Sequence, residues 1–500
     1  MAKSSFRLGY ITDVEGNLDY FLRYVERSNV LRIESCTPQE LILDLQDEES
    51  CHFVFGGDAV DKGPGDIRLC RALVALQQRY PDRVALLVGN RDLNKLRFMA
   101  ELADDRRPAS CIPPPHWDPS APSLQQYLEG LAAETQQQDN ITSLDTSINR
   151  LHYMLKHTLG CPNTFEFRRE ELGILRPDRL GDVSDRDVLQ SFLDEIQPPD
   201  GSLYQYLSNA KVAVAYGNTL FCHGAVDQRT MRFVPSLGTK FENPVTPPMP
   251  GGTIVENVND WIAALNEFLK KGLDDFIQRP YWNEDWSSRG GEALMALQNR
   301  PAVWGRSIVS NCYGDGGCIH TEHAARHRND RVGTEPTDAL AFEGVCSDPR
   351  DPIVADWLQS CGIQRIIVGH KPTGDCPAVL SSSYTGVEVV SADTSFSDTT
   401  ASDNRGRAIG VVELVGASDV DNHLEVFGVL QDGAAYHSVF HRLHSAKKID
   451  DSVGDHNLGH EIDGGWWVKA ATAEGYVLTR GKGRNVDHKT VAVIEHGAKT

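Results

Sequence analysis

The segment Cys51-His52-Phe53-Val54-Phe55-Gly56-Gly57-Asp58-Ala59-Val60-Asp61-Lys62-Gly63 passes from a mainly apolar run directly into a loop of glycines and carboxylates. A short run rich in aromatic and β-branched residues that stops at a polar cluster reads as a buried strand delivering a functional loop. Behind the loop, Ile67, Leu69, Ala72, Leu73 and Leu76 recur at helical spacing. Strand, polar loop, helix is the alternation of an α/β fold.

The same grammar extends outward in both directions. Leu8 to Thr12 stops at Asp13-Val14-Glu15-Gly16-Asn17, followed by Leu18, Phe21, Leu22 and Val25 at helical spacing, and Val84 to Val88 stops at Gly89-Asn90-Arg91-Asp92. Val212 to Tyr216 and Thr219 to Cys222 flank Gly217-Asn218, a pair suited to a tight hairpin that delivers His223-Gly224. Arg365 to Val368 leads into Gly369-His370, and Val387 to Val390 leads into Asp393. Singly, each loop is ordinary: Asp13 could cap a helix, Asn90 could fill a turn, and a lone histidine usually belongs to a hydrogen-bonded core. Together, five strand ends each offer a divalent-metal ligand, and strand ends of an α/β sheet converge on one crevice. Two cations held about 3.5 to 4 Å apart need a shared carboxylate, and Asp58 suits that place.

The order and spacing of these loops resemble the calcineurin-like metallophosphoesterase superfamily, in the branch that contains the Ser/Thr protein phosphatases and bacterial diadenosine tetraphosphatases. The family's Asp-x-His-Gly stands here as Asp13-Val14-Glu15-Gly16, its Gly-Asp-x-x-Asp-x-Gly as Gly57 to Gly63, its Gly-Asn-His-Glu/Asp as Gly89-Asn90-Arg91-Asp92, and its later ligands as His223-Gly224 and Gly369-His370. The resemblance implies a sandwich of two mixed β-sheets flanked by helices, its core split over 1–96, 206–226 and 360–415. It also implies one metal on Asp13, Glu15 and Asp58, and another on Asp58, Asn90, His223 and His370. The expected activity is that of a dinuclear metal-dependent phosphoesterase, a hydrolase splitting phosphate esters or anhydrides through a metal-bridging hydroxide. Lys62 and Arg91, with Arg306 in Trp304-Gly305-Arg306 and Lys371, are the expected phosphate contacts; Asp92 is expected to orient Arg91, and Asp61 a water or Lys62.

Several positions depart from the family's pattern. Glu15 stands in place of a histidine, giving the first metal an all-oxygen shell that favours Mn²⁺, with Mg²⁺ or Ca²⁺ as alternatives, over Zn²⁺ or iron. Extra anionic ligands also make a bridging water less acidic. Arg91 stands in place of a histidine that assists the leaving group, and an arginine does not give up its proton near neutral pH. Good leaving groups such as phosphoanhydrides or aryl phosphates follow as expected substrates, unless an insertion supplies an acid, with His157 and His320 as candidates. Lys62 replaces a phosphate-binding arginine, and Pro372 replaces a second histidine that the protein-phosphatase branch also lacks as a ligand. These substitutions leave one alternative open, a catalytically silent phosphatase-like protein that binds a phosphorylated partner.

Two long segments interrupt the alternation: 97–205, with helical stretches near Leu124 to Ala133 and Ile148 to Leu159, and 227–359, rich in turns and aromatics including Trp261, Trp282 and Trp286. Beyond 416 the sequence alternates strand-like pieces to its end, a β-rich C-terminal region. Cys312, Cys318, His320 and His323 have a loosely zinc-like order that fits no defined finger. Arg405-Gly406-Arg407 reads as a solvated turn, and Trp466-Trp467 as two aromatics on opposite faces of a strand.

The 500 residues suffice for several domains, and a hydrophobic share of 40% with 24% charged residues is ordinary for a folded chain. A net charge of −21 opposes long nucleic acids and anionic lipid, and leaves a phosphorylated small molecule or phosphoprotein as substrate only if metal ions reverse the local field. Eleven scattered cysteines, an odd number, fit reduced thiols of a cytoplasmic protein. The absence of an apolar leader near Met1 and of any long apolar run gives the same expectation, with no membrane contact.

Overall fold

The computed structural model describes residues 6–102, 112, 120–134, 141–177, 182–224, 226, 231–239, 251–297, 318–319, 345–346, 352–370, 373–381, 386–394, 407–440, 453–482 and 485–492. Two mixed sheets form its centre. In the larger, of eleven strands, Phe6–Ile11, Cys51–Phe55, Val84–Leu87 and the short Ala210–Lys211 run parallel in that order. On the other side of Phe6–Ile11 the sheet turns antiparallel, through Ile409–Gly416, Asn422–Val429 and Ala435–Phe440 to Asn485–Ala492. The β-rich C-terminal region therefore continues this sheet. The smaller, five-stranded sheet places Thr219–Cys222, Arg365–Val368 and Glu388–Ser391 parallel to one another, edged by antiparallel Ala213–Tyr216 and Ala378–Ser381.

Period-two alternation decides what lies between the sheets. Leu8, Tyr10, Val54, Ala85 and Leu87 pack with Phe221, Ile367, Val379 and Val390 of the smaller sheet in one buried cluster. The Tyr10 and Phe221 rings approach to 5.8 Å across the gap. Phe53, Phe55, Val84 and Leu86 face the other way, into a cluster with helical residues such as Phe21, Leu69 and Leu73. The result is the α/β sandwich of two mixed sheets flanked by helices that the sequence predicts.

The 97–205 stretch is helical where described, from Arg97–Leu102 to Ser202–Asn209, and includes one π-helical turn at Met154–Thr158. Within the 227–359 stretch the described residues include the 21-residue helix Val258–Gln278, capped by the Asn257 side chain. Arg306, Lys371, Pro372, His320, Cys312, His323, Arg405 and Gly406 lie outside the described residues. Trp467 is buried, while Trp466 carries the Arg480 and Lys489 cations over its ring. No described helix is long and apolar enough to cross a membrane.

Candidate metal and phosphate site

Three parallel strands of each sheet end at the same place, and their loops interlock. Asp13, Glu15 and Gly16 donate backbone N–H groups to the carbonyls of Gly57, Asp58 and Ala59, and Lys62 donates back to Glu15. The loops cross so closely that a side chain at Gly89 would collide with Asp58, and one at Gly369 with Thr12 and Asp13. Among described non-glycine residues with φ in the left-handed region, five of seven are Asp13, Glu15, Asp58, Asp61 and His370. Strained backbone of this kind persists where surrounding contacts over-determine it, and it concentrates at functional sites.

Asp58, His223 and His370 each direct one ligand atom so that all of these atoms lie within 4.8 Å of one another. Asn90 Oδ1 sits 3.2 Å from His223 Nε2. His223 Nδ1 lies 2.8 Å from the Gly56 carbonyl, which can only accept, so Nδ1 carries a proton and Nε2 is the atom available to a metal. A carboxylate, two imidazoles and an amide oxygen are a donor set that fits one divalent cation. In the cation-free chain burial opposes charge on this pair. The mutual attraction of Asp58 and His223 outweighs it, holding Asp58 well below the usual carboxylate range and raising His223 to about 10.

The other expected trio is differently engaged. Glu15 Oε1 lies 2.5 Å from Arg91 Nε and Oε2 lies 3.0 Å from Lys62 Nζ. Asp13 Oδ2 accepts from the Thr12 hydroxyl at 2.6 Å and from the His370 backbone N–H at 2.9 Å. Burial, then the nearby charge of Asp393, pushes the Asp13 carboxyl well up. Arg91 also reaches Asp61 Oδ2 at 3.1 Å, the Leu159 carbonyl at 3.3 Å and Asp58 Oδ2 at 3.7 Å.

Asp92 does not hold the Arg91 guanidinium. Its carboxylate accepts from the backbone N–H groups of Asp58, Ala59 and Gly89 at 2.8 to 3.0 Å, pinning the second and third loops together. Asp61 meets Arg91 and the fully buried Lys95, whose Nζ is 2.6 Å from its Oδ1. His157 lies against the rings of Tyr127 and Tyr153 within the helical stretch.

Lys95 and the Leu159 carbonyl are the parts of the site that sequence reading misses, and Asp393 is read as a strand end without a role in the site. Asp393 has a readable signal, since it follows a strand as Asp13 and Asp58 do. Lys95 has none beyond its place one helical turn after Arg91.

Neither a protein-family model nor a curated protein sequence matches the chain. Among solved structures, a cold-active protein-tyrosine phosphatase of a psychrophilic Shewanella species aligns with a TM-score of 0.36 at 13% identity, over 87% of this chain and 80% of its own. A protein serine/threonine phosphatase from Saccharomyces cerevisiae, with similarity to human phosphatase PP5, aligns with a TM-score of 0.33 at 12% identity, over 86% and 82%. These structural neighbours are phosphatases, but at TM-scores this low the chemistry rests on the chain's own geometry.

Proposed function

We propose that this chain is a divalent-cation-dependent phosphoesterase working at the crevice where the two sheets meet. The observation that carries the reading is the convergence of Asp58 from the larger sheet with His223 and His370 from the smaller one, at metal-ligand separation. Asp58, Asn90, His223 and His370 would hold the cation, which when bound supplies Lewis acidity toward a phosphoryl oxygen and acidifies a water. Lys62 and Arg91 stand beside it with 22% and 14% of their side chains exposed, so both can meet the phosphate's remaining oxygens and the charge that develops there. Arg91 keeps its proton, hence the leaving oxygen departs without an acid from this position and good leaving groups are favoured. Asp61 braces the guanidinium, and Lys95 in turn holds Asp61 and the Arg91 backbone carbonyl.

The test is release of p-nitrophenol from p-nitrophenyl phosphate by the cation-loaded protein, with Asp58→Asn as control. Cation-dependent turnover at least a hundredfold above that of the variant is expected. Equal rates would favour the silent reading, a protein that binds a phosphorylated partner without cleaving it.

A further inference from the structure

We propose that the site takes one divalent cation, on Asp58, Asn90, His223 and His370, and that the guanidinium of Arg91 stands in for a second as a fixed, tethered charge. The inference rests on the phosphoesterase reading and specifies its cation count. Asp13, Glu15, Asp58, Asp61 and Asp393 are buried together in the loops, beside the backbone-bound Asp66 and Asp92. Buried carboxylates need partners, whether a metal or a fixed cation. Arg91 alone reaches three of them, with Nε 2.5 Å from Glu15 and 3.7 Å from Asp58, and Nη1 3.1 Å from Asp61.

One Asp58 oxygen, Oδ2, lies 3.5 Å from His223 Nε2 and 3.7 Å from Arg91 Nε, so it is shared between the histidine cluster and the guanidinium. That is the bridging position of a two-cation centre with one cation exchanged for a side chain. Both oxygens of Glu15 are already committed, one to Arg91 and one to Lys62, so a metal at Glu15 would have to displace two ion pairs. Glu15 and Arg91, the two substitutions that most perturb the pattern read from sequence, are the two ends of one ion pair. A lone glutamate would add a ligand to a metal; a glutamate facing an arginine removes the place for it. The Leu159 carbonyl, just after the π-helical turn, holds the guanidinium from outside the loops.

The experiment strips the full chain with chelator, equilibrates it with Mn²⁺ at micromolar free concentration, and counts bound metal by mass spectrometry alongside electron paramagnetic resonance. One equivalent, with the six-line spectrum of an isolated Mn²⁺, is expected, and Asp13→Asn should still retain it. Two equivalents with an exchange-coupled spectrum would overturn the inference and leave the phosphoesterase reading standing, whereas no retained metal would overturn both. The Glu15→His, Arg91→His double variant should rise to two equivalents. A folded double variant that stays at one would remove Arg91 from its assigned role.

Discussion

Asp92 illustrates how a motif carboxylate can act on backbone rather than on substrate. Its two oxygens take three buried N–H groups from two loops. Asp92→Ala leaves all three amides without that acceptor, at about 1 to 3 kcal/mol for a stranded buried group. We expect a loss of at least about 3 kcal/mol, seen as a lower urea midpoint with unchanged slope. His223 carries a pH signature of the opposite origin. Its raised value means that the cation-free chain binds a proton more tightly folded than unfolded. The stabilisation from its pairing with Asp58 is therefore complete below about 6.5 and disappears as pH rises through about 10. Melting temperature in chelator should fall across that window, and His223→Gln should flatten the curve. A metal needs the Nε2 lone pair, so binding must expel the proton. Calorimetry at pH 8 in buffers of different ionisation enthalpy should register about one proton released per cation, and no buffer dependence would contradict the protonated state.

The loop after Cys51–Phe55 is held at the element scale by a helix more than a hundred positions away. Helix Asp66–Arg79 begins without a side-chain cap of its own, and the Glu171 carboxylate from helix Thr164–Leu175 accepts the N–H groups of Ile67 and Arg68 instead, each at 3.1 Å. Arg168 of the same helix reaches Asp66, whose other oxygen accepts the Asp61 N–H at 3.0 Å. Glu171→Ala should cost about 1 to 3 kcal/mol in thermal or urea unfolding. It should also lower kcat on p-nitrophenyl phosphate while bound metal stays unchanged, because it loosens Asp61 and leaves Asp58 in place. Such contacts leave no local trace, which is why the insertion's clamp on the site could not be read from sequence. The strands could: each is a mainly apolar run that leads into a polar loop, a pattern set by the strand's own burial. The hairpin Leu31–Cys36 with Leu41–Leu45 escaped reading although Leu31, Ile33, Leu41, Leu43 and Leu45 alternate. Helix Val258–Gln278 escaped too, its Trp261, Ile262, Leu265, Phe268, Leu269 and Leu273 spaced for one buried face. The signals were present in both, and tryptophans among turn residues masked the second. The ligand loops were legible as a set, but the pairing of Glu15 with Arg91 was not, because it depends on where two loops cross.

At the scale of the whole molecule the site is also a joint. Asp58 and Asn90 follow strands of the larger sheet, His223 and His370 follow strands of the smaller, and direct links already run between them: His223 Nδ1 with the Gly56 carbonyl, and the His370 N–H with Asp13. Away from the site, Arg365 of the smaller sheet pairs with Glu388 and reaches Asn422 of the larger at 2.9 Å, so the sandwich is fastened at a second point. A cation bound at the joint must be released when the sheets separate, since its ligands are brought together only in the folded chain. Anything that binds the native state alone stabilises it by mass action, about 2.7 kcal/mol at a hundredfold excess over its dissociation constant. Mn²⁺ should accordingly raise the temperature at which both sheets unfold, with near- and far-ultraviolet circular dichroism moving together. Asp58→Asn should abolish the shift, and Arg365→Met should lower the starting temperature without abolishing it, because that fastening is independent of the metal. A chain of net charge −21 will attract divalent ions weakly over its whole surface. The diagnostic quantity is therefore the difference between the wild type and Asp58→Asn at the same ionic strength. Equal shifts in the two proteins would assign the stabilisation to that diffuse screening and would mean that the two sheets meet without a metal between them.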